Sequence, residues 1–223
     1  MKRKKQLERM QKTMINHKDF FVIEPKINTE GHYLRLDPQE IFHNSNPLLL
    51  EIGSGKGEFI SLFSVLHPEF NFIGLESAEK RINNTLKKLS PEQNPNVRLI
   101  RLHIDANISQ LFPAESVSGV FIQYPDPWPK RKHHRRRLIQ QDFLSALSII
   151  LKPSSRVQIT TDNRDYAAWI LDEFLTHPSF ISVYDEPVLK HSPFEEHIST
   201  FYEIEQKRQG FEPQYMLFQR IQE

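Results

Sequence analysis

The chain has 223 residues, enough for one sizeable hydrophobic core, so a single domain behind a short lead-in is expected. Hydrophobic residues make up 38% and charged residues 26%, no apolar run nears the ~18 residues of a membrane span, and the basic start MKRKK leads into QLERMQKTM rather than an apolar signal segment. The absence of cysteine excludes disulfides, thiolate catalysis and Cys-ligated zinc and suits a reducing, cytoplasmic setting, while the net charge of +1 hides a cationic block at residues 130–137, KRKHHRRR.

Residues 1–45 are expected to form a basic N-terminal arm and lead-in: 1–20 are polar and helical in part, and 21–47 have no clean period. Residues 48–52 (LLLEI) form an apolar run that stops at glycines, which predicts a buried strand and its turn. A helix follows over 58–66, apolar on one face and ending before Pro68. A second strand is expected over 70–75, then a helix over 77–89 with Ser77 as N-cap and Pro91 stopping it. Strands three and four fall at 97–104 and 117–124. A long helix from about Arg136 to Leu151 carries Leu138, Phe143, Leu147 and Ile150 and ends at Lys152-Pro153. A fifth strand (156–160) and a helix near 164–175 come next, and two late runs, 180–184 and 214–218, close an antiparallel edge.

This alternation predicts an α/β domain over 46–223, a doubly wound, mostly parallel sheet with helices on both faces. Such sheets bind ligands past the carboxyl ends of their strands, where strand order reverses. Polar residues just after strands are therefore the candidates: 51–57, Glu76, Asp105, 125–137 and 161–163.

In Glu51-Ile-Gly-Ser-Gly-Lys-Gly57, Gly53, Gly55 and Gly57 permit sharp turns and close approach to a ligand. The loop is no P-loop, because Glu58 follows Gly57, and no dinucleotide fingerprint, because Glu58 stands at the third glycine's place and would repel a diphosphate. Glu76, 19 residues after Gly57, suits the hydroxyls of an adenosine ribose, and Asp105 the exocyclic amine of adenine. Glu51 suits an amino or sulfonium group. Together these carboxylates describe a pocket for a cationic adenosine derivative, S-adenosylmethionine.

Tyr124-Pro-Asp-Pro-Trp-Pro-Lys130 has three prolines in five residues and is expected to be a rigid loop aiming Asp126 into the cleft. Trp128 either stacks on a substrate base or is buried beneath the loop. Lys130, Arg131, Lys132, Arg135, Arg136 and Arg137 are expected to contact RNA phosphates, with His133 and His134 as polar RNA-side residues. No metal is expected, since the histidines lack a carboxylate partner at ligand spacing. A small-molecule methyltransferase has no use for the cationic block, a NAD-dependent dehydrogenase needs a glycine at 58, and a bare RNA-binding module leaves Glu51, Glu76 and Asp105 unexplained.

EIGSGKGEF, GLE at 74–76, HIDA at 103–106, PDPWPKRKHHRRR, TDN at 161–163 and TFYE at 200–203 resemble the bacterial tRNA (guanine-N7)-methyltransferase family over residues 45–220. The resemblance implies a class I methyltransferase (Rossmann-like) fold, a seven-stranded sheet with its last strand antiparallel, and methylation of guanine 46 in the tRNA variable loop, another RNA base being the alternative substrate. It implies cofactor contacts at Glu51, Glu76, Asp105 and Asp126, with Asp126 also the active-site acid. It further implies substrate contacts at Lys130, Asp162, Thr200, Phe201, Tyr202 and Glu203. Gln123, Tyr124 and Glu205 depart from the family's usual Asn, Phe and basic residue. Oligomeric state, monomer or homodimer, stays open.

Overall fold

The central strands are apolar at successive positions because both their faces are covered. In β2 (Leu48–Ile52) and β3 (Asn71–Glu76) every residue is buried. Side chains alternate across a sheet, so Leu48, Leu50 and Ile52 enter one core while Leu49 enters the other. The first core packs against α5 (Ile108–Leu111), α6 (Gln141–Ile150) and α7 (Arg164–Thr176). The second joins Phe59, Ile60 and Phe63 of α3 (Glu58–Leu66) to Ile82 and Leu86 of α4 (Glu79–Leu86). Each fully buried side chain of this kind contributes about 1.5–3 kcal/mol relative to exposure.

The computed structural model describes residues 17–222. Most of the arm expected over 1–20 lies outside them. The sheet has eight strands in the order β1-β4-β3-β2-β5-β6-β8-β7. β4 is Val97–Arg101, β5 Val117–Gln123 and β6 Leu151–Thr161, all parallel with β2 and β3. β8 (Gln214–Arg220) runs antiparallel between β6 and the edge strand β7 (Phe180–Ser182). The seven expected strands are thus present, with the final one reversed. The eighth, β1 (Val22–Ile23), adds two residues beside β4, held there by backbone pairing and by α1 (His17–Phe21), whose Phe21 is fully buried. A two-residue strand carries no readable period. α2 (Pro38–Phe42), capped by Asp37, buries Phe42.

Two helix starts differ from expectation. Ser77 does not cap α4: Ala78 holds that place without a side-chain bond, and its N–H donates to Glu76 Oε1 at 2.9 Å. The helix expected from Arg136 begins at Gln141. Before it, Arg131–Arg136 form a 3₁₀ helix and Arg137 is extended (φ −60°, ψ 137°), directing its side chain inward. Strand order reverses between β2 and β5, and the crevice past their carboxyl ends is the position at which such folds bind ligands.

Candidate active site and its basic rim

A cleft of about 740 Å³ opens at that crevice, with Gly53, Glu76, Asp105, Asp126, Trp128 and Arg136 among its walls. Gly53, Gly55 and Gly57 have φ of 78°, 55° and 76°, a region in which side chains are strained. Gly57 has a second reason to lack a Cβ, which would stand 2.3 Å from Thr85 Cγ2 of α4. Here the third glycine serves helix packing, although Glu58 occupies the fingerprint position.

Glu76 is 3% exposed and ties the loop together: its carboxylate accepts from Gly55 N–H at 3.0 Å and Ala78 N–H at 2.9 Å, with Arg81 at 3.5 Å. It still lines the cleft, where carboxylate oxygens can accept further hydrogen bonds. Asp105, exposed and also lining the cleft, holds the turn into α5 through Asn107 N–H at 2.8 Å.

Glu51 is 4% exposed and lies one layer back, behind Gly53 and Gln123, which line the cleft. Its Oε1 accepts from Gln123 Nε2 at 3.5 Å, while Oε2 is buried with no partner among the described residues. Burial pushes its pKa well above the usual carboxylate value, and the charges of Glu58 and Glu76 add to the rise. A buried, half-satisfied acid behind a glycine turn fits a cationic ligand group that would supply the missing donor.

The proline loop is anchored from below. Arg137 donates from Nε to the Pro127 carbonyl at 2.9 Å and from Nη2 to Asp165 at 2.5 Å, and its guanidinium lies 4.9 Å from the ring centres of both Tyr166 and Trp169. Its side chain is 1% exposed. The expectation that Arg137 contacts phosphate is therefore corrected: with every face covered, it clamps the loop to α7. The Arg137 hydrogen bond also holds the exposed Asp165 below the usual carboxylate range. His134 turns inward too, edge-on to Trp169 at 5.6 Å, rather than toward solvent. Lys130, Arg131, Lys132, Arg135 and Arg136 are exposed, and the last two reach the cleft. Trp128 is half-buried on the cleft wall rather than beneath the loop.

The distal group gathers beside this loop. The Tyr202 hydroxyl donates to Asp162 at 3.2 Å, and its ring lies 4.9 Å from that of Tyr124, which lines the cleft. Burial, with Asp162 and Asp126 nearby, pushes the Tyr202 pKa up to about 12. Phe201, exposed, lies under Lys56 Nζ of the glycine loop at 4.4 Å. Thr200 and Glu203 have other work. The Thr200 hydroxyl caps α8 (Phe201–Arg208) by accepting Glu203 N–H at 3.2 Å. Glu203 is 1% exposed, and its Oε1 meets His197 and Lys207, each at 2.8 Å, and Tyr215 at 3.3 Å. Burial raises its pKa, but the hydrogen bonds from Lys207 and His197 outweigh this and hold it low. The expected substrate contact by the buried Glu203 is corrected to an internal brace, while Thr200, half-buried at the cap, keeps its hydroxyl proton beside the outward pair Phe201 and Tyr202. Glu205 forms an exposed ion pair with Arg208 at 3.6 Å.

Sequence reasoning did not anticipate Arg81 and His103 on the cleft wall, nor the bond from Gln123 to Glu51. Gln123 was legible as the last residue of a strand beside the glycine turn. His103 stands inside the HIDA segment. Among the described residues, no group of three or more His, Asp or Glu could hold a metal ion, and no helix is long and apolar enough to cross a membrane.

Comparison with known proteins agrees with this geometry. A family model described as "Putative methyltransferase" matches residues 45–214. A tRNA (guanine-N(7)-)-methyltransferase of Enterococcus faecalis is 36% identical over 184 residues, 82% of each chain. Its Nitrosomonas europaea counterpart is 40% identical over 147 residues, 66% of each. Among solved structures, the 16S rRNA (adenine(1408)-N(1))-methyltransferase from Catenulisporales acidiphilia superposes with a TM-score of 0.55 at 18% identity, over 84% of this chain and 94% of that one, a likeness of fold alone.

Proposed function

The chain belongs to the tRNA (guanine-N(7)-)-methyltransferase family, and from that premise we propose that it methylates N7 of guanine 46 in the tRNA variable loop, in the cytoplasm, with S-adenosylmethionine as donor. The observation that carries the reading is the half-satisfied buried carboxylate of Glu51, its Oε2 without a hydrogen-bond partner among the described residues, behind a cleft whose rim holds Arg135 and Arg136. The acid side suits a cationic donor and the basic side suits RNA.

Glu51 would meet the donor's ammonium or sulfonium, Glu76 its ribose hydroxyls and Asp105 its adenine amine, around the turn at Gly53 and Gly55. When bound, S-adenosylmethionine would supply a methyl group activated by its sulfonium: the N7 lone pair would form the new bond to the methyl carbon while the carbon–sulfur pair returns to sulfur, which leaves as the neutral thioether. Guanine N7 carries no proton, so no general base is needed. The chain's part is to align N7 with the methyl and to exclude water. Asp126, on the proline loop held by Arg137, accepts hydrogen bonds from guanine N1–H and its 2-amino group. Asp162 and Tyr202 extend that polar wall, and Phe201 lies beside it. Lys130, Arg131, Lys132, Arg135 and Arg136 neutralise phosphates and position the RNA without reading its sequence.

The test is transfer of labelled methyl to an unmodified tRNA transcript, followed by mapping of the product. Label at N7 of guanine 46 is expected. Label on another atom or base would overturn the assignment while leaving the fold intact.

A further inference from the structure

Trp128 has a planar cation on its face. The guanidinium of Arg136 lies 5.0 Å from the indole centre, and His133 meets the same ring edge-on at 5.8 Å. Trp128 and Arg136 both line the cleft, two residues beyond Asp126 in the case of the tryptophan. The loop that carries the indole is strained into place: Tyr124 and Trp128 have φ of 51° and 42°, uncommon for residues with side chains. Tyr124 N–H is bonded to Thr160 O at 2.7 Å, and Pro127 O is held by the buried Arg137. A half-buried indole is thus presented to the cleft on a fixed backbone, its face covered by a side chain that can swing away.

We propose that Trp128 is a catalytic residue that stacks on the target guanine, which displaces Arg136 from the indole face, and that Arg136 then moves to an RNA phosphate. The inference rests on the functional reading above. Its chemical basis is the charge that methylation creates. The guanine ring enters neutral and leaves as a planar cation, because N7 has given its lone pair to the new carbon–nitrogen bond. An aromatic face attracts a planar cation more than its neutral counterpart, so the stack strengthens as the bond forms. An interaction that grows toward the transition state accelerates the step rather than merely tightening binding. Arg136, a planar cation of similar thickness, occupies that face in the absence of RNA. The stack also compensates for the base stacking guanine loses when it leaves the tRNA interior.

The full chain and a tRNA transcript suffice for the test. Trp128→Leu is expected to lower kcat about tenfold while changing the KM for tRNA less than about twofold, and Trp128→Phe to recover part of the loss. The chain has two tryptophans, so subtracting the emission of Trp128→Leu from that of the wild type isolates the indole of interest. That difference signal is expected to be quenched by the transcript, and more deeply by the same tRNA already N7-methylated. Arg136→Gln is expected to weaken tRNA binding and its salt dependence while the quenching remains. Wild-type turnover in Trp128→Leu, or a Trp128 emission indifferent to tRNA, would overturn the stacking with N7 methylation still standing. A wild type that methylates no tRNA would bring down both readings together.

Discussion

Glu51 is a carboxyl group buried without a full set of partners, and its pKa is raised well above the usual value by burial and by the neighbouring acids Glu58 and Glu76. A raised pKa favours the neutral form, so this group's contribution to stability is complete below its unfolded pKa and is lost as pH rises through the folded one. A bound cation reverses the preference and drives the proton off. S-Adenosylmethionine is therefore expected to bind more tightly as pH rises toward the elevated pKa, with net proton release. Calorimetry in two buffers of different ionisation heat measures that release. Binding heats independent of the buffer would contradict the assignment. Asp126 makes a separate prediction. Because it accepts hydrogen bonds and takes no proton, Asp126→Asn should lower turnover with saturating tRNA and donor by about 10- to 100-fold, the worth of charged hydrogen bonds. Unchanged turnover would remove Asp126 from the site.

Among the elements, the glycine loop and the proline loop are each fixed by a neighbour that sequence spacing only half discloses. Gly57→Ala would set a Cβ 2.3 Å from Thr85 at a φ of 76°, and should cost about 1–3 kcal/mol by thermal or denaturant unfolding. The double variant Gly57→Ala/Thr85→Gly removes the clash but not the strained φ and should recover only part of that loss. The basic segment divides into one clamp and a solvent-facing strip. Replacing Arg136 by Gln should reduce the slope of log affinity for tRNA against log salt by about 1. Arg137→Ala should instead lower thermal stability and leave that slope unchanged, since its guanidinium never meets solvent. The sequence showed six cations in a row of eight. It could not show that Pro127, Asp165 and Trp169 converge on the last of them. The same blindness explains the helix expected from Arg136, because a residue recruited inward by tertiary contacts leaves the helical path. Ser77 and Thr200 illustrate it from two sides. Ser77 is a good cap by type, but Glu76 takes the N–H beside it. Thr200 is a cap that a functional motif concealed, with Glu203 three residues on as its internal partner. Glu203→Ala strands His197 and Lys207 and should cost about 2 kcal/mol or more of stability.

For the whole molecule, much was legible because apolar runs, glycine stops and prolines each leave a local mark. The strand at 48–52 and the helix at 58–66 needed nothing else, the strands expected at 97–104 and 117–124 end at Arg101 and Gln123, and the crevice followed from their alternation. β1 needed its partner β4 to be visible, and the insertion of β8 between β6 and β7 is a long-range pairing that no local period encodes. The fold brings an acid-lined wall and a basic rim into one cleft, although Glu76, Asp105 and Arg135 are far apart in the chain, and it sets Glu51 one layer behind. Binding of labelled S-adenosylmethionine and of tRNA, measured separately on Glu51→Gln and on a variant with both Arg135 and Arg136 replaced by glutamine, separates the two halves. Donor affinity is expected to collapse in the first with tRNA affinity kept, and the reverse in the second. Undiminished donor binding by Glu51→Gln would contradict the division of charge on which the proposed chemistry depends.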